Sequence, residues 1–164
     1  MIEIKRCLLD KIHESDYKNI KELYMNQEVR KYLGGPRKED TMKDVLNNML
    51  NPGTNCWYWV VREKQTNEFM GIVSLDPHHI GNDIEVSYQF LPQWWGSGYA
   101  TEVVEAVINY AFTELKLPKI IAVTQMANTP SRKLLERLHM KLVQTYHRFG
   151  AEQGVYAIEA PPTN

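Results

Sequence analysis

The sequence predicts one α/β domain: a mixed sheet with helices on both faces. Three observations carry this. The chain has 164 residues, enough for one full-sized core, with 43% hydrophobic and 24% charged residues, the balance of a soluble globular protein. Segments that alternate apolar and polar residues interleave with segments whose apolar residues recur every three or four positions. No repeat, low-complexity tract or linker divides the chain, so residues 1–160 are expected to form the domain and residues 161–164 a loose tail.

The elements follow in order. Residues 2–9 (IEIKRCLL) alternate as a first strand with Ile2, Ile4 and Cys7 inward. Ser15, an N-cap by type, opens a helix carrying Tyr17, Ile20, Leu23 and Tyr24 on one face. GGP at 34–36 breaks the chain, and a second helix over about 40–50 lines up Met42, Val45, Leu46, Met49 and Leu50 until NPG stops it. WYWVVRE and FMGIVSL around KQTNE form a hairpin of aromatic and β-branched residues, and IEVSYQF follows the loop HHIGND as a further strand. A long helix covers 98–115, with Pro118 just beyond its end. KIIAVTQ is a buried strand. Thr129 and Pro130 cap and start a short helix, and VQTYHRF and GVYAIEA close the chain as two strands.

Composition excludes several functions. Nineteen Lys plus Arg against twenty Asp plus Glu offer no electrostatic case for nucleic acid. No apolar run approaches the ~20 residues of a membrane span, and the strand-like start argues against a signal peptide, so a cytoplasmic location is expected. Cys7 and Cys56 belong to no ligand pattern and read as buried thiols of a reducing compartment. His78 and His79 would point to opposite faces of a strand with no third ligand nearby, so no metal is expected; as loop residues they could meet a substrate.

Residues 93–100, QWWGSGYA, need more than a turn to explain them. A Walker phosphate loop would require Lys-Ser/Thr after the glycines, and a Rossmann loop a third glycine where Thr101 stands. Two readings remain: a tight strand-to-helix turn braced by Trp94 and Trp95, or a loop whose bare amides and helix N-terminus hold a pyrophosphate.

Q-x-x-G-x-G at this place resembles the acetyl-CoA loop of the GNAT acetyltransferases. IKRCLLDKIHESDYKNIKELYMNQEVRKYLGG, GIVSL, EVSYQFLPQWWGSGYATEVVEAVINYAF and NTPSRKLLERLHMKLV follow in the order of the RimJ/RimL-like branch, so the resemblance spans essentially the whole chain. It implies a mostly antiparallel sheet splayed at a central parallel pair, and transfer of an acetyl group from acetyl-CoA to a primary amine. Coenzyme-binding positions are then Gln93, Trp94, Trp95, Gly96, Ser97, Gly98, Tyr99 and Ala100, with backbone at Phe90 and Leu91 on the pantetheine arm or the thioester carbonyl. Asn128 would bond the pantetheine, or cap its helix, and Ser131 would lie near the sulfur. Leu135 occupies the position where many relatives carry a tyrosine acid, which shifts weight to Ser131 or water. Gly96 and Gly98 permit φ > 0 and close approach of phosphates.

Glu85 is the candidate base. Ile84, Val86, Tyr88 and Phe90 share one strand face, so Glu85, Ser87 and Gln89 share the other and face a cleft under the first two helices. Glu102, in the first turn of the long helix, reads as an electrostatic partner of the helix terminus. His139 stands where the family has glycine at a helix end, a structural departure. A lysine-like amine is about 0.04% neutral at pH 7 and an α-amine roughly 14%, which favours a protein N-terminal α-amine or a small-molecule amine as partner. A monomer or a homodimer through a late edge strand fits the pattern. A non-catalytic acyl-CoA-binding module is the alternative.

Overall fold

The computed structural model describes residues 1–162; of the expected tail, residues 163–164 lie outside the described residues. Eight strands form one sheet: β1 (Ile2–Glu3), β2 (Cys7–Lys11), β3 (Trp57–Glu63), β4 (Phe69–Pro77), β5 (Ile84–Phe90), β6 (Lys119–Gln125), β7 (Lys141–Arg148) and β8 (Ala151–Glu159). Their spatial order is β1-β2-β3-β4-β5-β6-β8-β7. Every neighbouring pair is antiparallel except β5 and β6.

The helices are α1 (Tyr17–Met25), α2 (Met42–Leu50), α3 (Tyr99–Thr113) and α4 (Thr129–Arg137). Strand alternation sends one set of side chains to each face of the sheet, and each set builds its own core. Val61, Val73, Val86 and Phe90 pack with Val103, Val104 and Val107 of α3 and Leu134 and Leu135 of α4. Val60, Ile72 and Phe69 pack on the other face with Ile20 and Leu23 of α1 and Met42 and Met49 of α2.

Four local expectations are corrected. The first strand is split, because the Ile4 amide bonds the Cys7 carbonyl and turns β1 back on β2. Ser15 does not cap α1; a 3₁₀ turn precedes the helix, and the Asp16 carboxylate accepts from the His13 amide while pairing with Arg62. Asn128 rather than Thr129 caps α4, its side-chain oxygen accepting from the Ser131 amide at 3.3 Å. Cys7 is buried, with its thiol pushed up to about 11 by burial, but Cys56 is only half-buried. Among the described residues no helix is long and apolar enough to cross a membrane.

Candidate active site

The parallel pair fails early. β5 and β6 register only at Ile84 with Ile120 and Glu85 with Ile121, after which β5 runs on to Phe90 along β4 and β6 to Gln125 along β8 without pairing with each other. The sheet therefore opens between them. The Leu91 amide is committed to the Met70 carbonyl at 2.9 Å, so it is not free for a ligand, contrary to expectation. Alternation turns the Phe90 amide the other way, toward the opening.

At the end of β5 the chain makes a short 3₁₀ turn and enters α3 through Gly96 and Gly98, both at φ 80°. A side chain at Gly96 would meet nothing within 4 Å, so conformation, not protein crowding, calls for glycine there. Amides 96–101 donate to no protein acceptor among the described residues, and they sit at the positive end of α3. Arg6, ninety residues away in sequence, holds this loop. Its Nη2 donates to the Ser97 carbonyl at 3.0 Å, its Nε to Glu102 at 2.8 Å, and its guanidinium lies over the Tyr99 ring at 4.0 Å. Glu102 is thus the anchor of Arg6.

The tryptophans divide. Trp94 wedges between the two cores and stacks edge-on with Tyr99, its indole Nε1 buried without a protein acceptor among the described residues. Trp95 is 49% exposed and does not brace a core; its Nε1 donates to the Phe90 carbonyl at 2.8 Å, folding the ring back over the end of β5.

Beyond the splay, on the face of α3 and α4, the Tyr88 hydroxyl meets the Ser131 hydroxyl at 2.7 Å. Burial holds the Tyr88 phenol above its ordinary range, with the Ser131 bond acting against it. Leu135 is buried in the core beneath. Sequence reasoning missed Tyr88. Its signal was a hydroxyl on an otherwise apolar strand face, which must find a partner.

On the opposite face lies a cleft of about 180 Å³ lined by Tyr32, His78, Glu85, Gln125, Tyr146 and Arg148 among others. Its roof, the segment after α1, is tied down by Arg30 to Gln89 at 3.2 Å and by Gln125 to the Tyr32 carbonyl at 3.2 Å. Glu85 points into this cleft, as its strand phase predicts, but not as a lone carboxylate. His78, buried at the end of β4, places Nδ1 at 2.7 Å from Glu85 Oε1. Asp76 faces Glu85 across the β4–β5 register, and burial plus the Glu85 charge push its carboxyl up to about 6 against the pull of His78. His78 and His79 do not point apart: their rings lie 4.1 Å from each other because they belong to the loop after β4. Among the described residues no group of three or more His, Cys, Asp or Glu is arranged to hold a metal ion. A second hollow, about 310 Å³ between Lys5 and α3, lies against Glu102, Glu105 and Asn109 and touches neither the splay nor the His–carboxylate pair.

The acetyltransferase (GNAT) domain profile matches residues 6–141, most of the molecule. The chain belongs to the GNAT acetyltransferase family. Among relatives it is 27% identical over 141 residues to the uncharacterized N-acetyltransferase YnaD of Bacillus subtilis (strain 168), covering 85% of this chain and 82% of that one. A GNAT-family acetyltransferase from Bacillus anthracis superposes with a TM-score of 0.85 at 25% identity, over 96% of this chain and 97% of the other. The spermidine N-acetyltransferase from Vibrio cholerae, solved with CoA and spermine, shares the fold at a TM-score of 0.81 and 20% identity, over 94% of this chain and 95% of its own. The mixed sheet with its single parallel pair is the GNAT architecture.

Proposed function

We propose that this protein moves the acetyl group of acetyl-CoA directly to a primary amine, a protein N-terminal α-amine or a small-molecule amine, within a ternary complex, as a RimJ/RimL-like member of its family. The observation that carries this is the run of amides at 96–101 with no acceptor among the described residues, in a loop held by Arg6 just after β5.

The residues fit the coenzyme. A pyrophosphate needs several donors and a positive field, and the bare amides with the start of α3 offer both. The positions from Gln93 to Ala100 form this cradle. The opening at Phe90 admits the pantetheine arm, and the amide NH₂ of Asn128, whose oxygen is spent on the cap, is left for an amide carbonyl of that arm. The family resemblance puts Ser131 near the sulfur. The Tyr88 and Ser131 hydroxyls share one hydrogen bond, and in the arrangement with Tyr88 as donor the Ser131 proton is left for the departing thiolate. Glu85 and His78 form the basic side of the site, across the sheet in the acceptor cleft.

The alternative keeps the cradle and drops the chemistry: a non-catalytic acyl-CoA-binding module. Leu135, a buried core residue at the position where the resemblance implies a tyrosine acid in many relatives, is what favours it.

Thermal melting with millimolar acetyl-CoA, CoA or NADH tests the cradle, and thiol release from acetyl-CoA with an amine present separates the two readings. At ~100 times its dissociation constant a ligand adds about 2.7 kcal/mol, worth several degrees for a domain of this size. Both CoA forms are expected to raise Tm and NADH not. Gly98→Glu, which puts a negative side chain at φ 80° beside Arg6, is expected to abolish the shift. An undiminished shift in that variant removes the loop from the account.

A further inference from the structure

The base expected of the sequence is Glu85, yet a bare carboxylate is a weak match for an alkylammonium: its ordinary pKa lies several units below that of the amine. The structure offers a better-matched atom beside it. His78 Nδ1 lies 2.7 Å from Glu85 Oε1, and among the described residues its other ring nitrogen, Nε2, has no hydrogen-bond partner. That nitrogen is not sealed in, for the sole buried side-chain polar atom lacking a partner among the described residues is Trp94 Nε1. The ring itself is buried and fixed, and it lines the acceptor cleft together with Glu85.

A carboxylate on Nδ1 selects the tautomer that carries its proton there, which leaves the lone pair on Nε2. We infer that His78 Nε2 is the atom that takes the proton from the acceptor ammonium, with Glu85 as its positioning residue. This rests on the acetyl-transfer reading above. The groups facing the ring are Asp76 on β4, Glu85 on β5, His79 in the loop, and Tyr146 and Arg148 on β7.

The step balances without a further reactant. Nε2 accepts one proton from R–NH₃⁺, and the freed nitrogen lone pair forms the C–N bond to the thioester carbonyl carbon. The C–S bond breaks with its electron pair on sulfur. The nitrogen sheds its second proton, and the thiolate gains one from Ser131, which is made good from that released proton. The imidazolium then returns its proton to solvent.

His78→Asn is the informative variant, because the Asn amide can still donate to Glu85 where Nδ1 did but has no basic nitrogen. Two probe amines separate the roles: benzylamine, an ammonium at neutral pH, and aniline, already neutral. Thiol release from acetyl-CoA with benzylamine is expected to fall about a hundredfold in His78→Asn, while release with aniline changes less than about threefold and the acetyl-CoA thermal shift is unchanged. Wild-type-like rates with benzylamine, or equal losses with both amines, overturn the inference. A second measurement needs no acceptor: the ¹⁵N spectrum of the His78 ring above neutral pH is expected to show Nδ1 protonated and Nε2 bare. The opposite tautomer overturns the inference whatever the rates. No thiol release by the wild-type protein with either amine counts against acetyl transfer to simple amines, and the tautomer then still decides the His78 assignment.

Discussion

Tyr88 and Ser131 join a strand to a helix through one hydroxyl pair, and that pair has a measurable consequence. Tyr88→Phe keeps the ring in the core and removes only the bond that orients Ser131. A single neutral hydrogen bond is worth about 0.5–1.5 kcal/mol, so kcat is expected to drop roughly three- to tenfold with the KM for acetyl-CoA unchanged. Ser131→Ala should lose at least as much, and the double variant should lose no more than Ser131→Ala alone. Additive losses would separate Tyr88 from Ser131. Asp76 makes a second prediction, this time of stability. Its folded-state pKa, about 6, exceeds the ordinary carboxylate value. The native state therefore binds more protons than the unfolded chain in the window from about pH 4 to about pH 6, and stability falls as pH rises through it. Asp76→Asn removes that cost. It is expected to raise Tm at about pH 7.5 and to change it little at about pH 4. An equal change at both values would mean that Asp76 titrates normally in the folded protein.

At the scale of elements, the β4–β5 pair is the tightest constraint. A Cβ on Gly71 would lie 2.0 Å from the Gln89 carbonyl oxygen and 2.9 Å from the Phe90 Cα, both backbone atoms with no room to yield. Gly71→Ala must push the two strands apart at the point where β5 leaves for the loop. Overpacking of this kind costs about 1–3 kcal/mol, and rigid backbone neighbours set the cost at the upper end, so a Tm loss of roughly 5–10 °C is expected. A change of a degree or two in a melting scan would show that the strands separate freely. The start of α3 shows the same economy in another form. Gly96 and Gly98 have left-handed backbone without crowding, and the loop's fixed point is Arg6, clamped between Ser97 and Glu102. The split of the first strand into β1 and β2 is the counterpart of that clamp, since the turn at residues 4–7 is what brings Arg6 to the loop.

At the scale of the whole molecule, the sheet separates two cores and, among the described residues, opens where β5 and β6 part. Periodicity made most of this legible. Apolar residues recurring along α1, α2 and α3 and alternating along β5 state which face each element buries, while the continuous apolar runs of β3 and β4 mark them as strands without stating a face. The glycine pair announced the loop, since φ near 80° is a local property that few residues other than glycine accept. The phase of β5 likewise announced Glu85 on the cleft face. What the linear pattern could not announce was which side chains meet. Arg6 with Ser97 and Glu102, Tyr88 with Ser131, and His78 with Glu85 are long-range or loop contacts. Each depends on strand register, on where the parallel pair opens, and on a turn that breaks the local period. Hydrophobic phase is written residue by residue in the chain, whereas distances between polar groups exist only once the sheet has closed its register and the helices have docked on it.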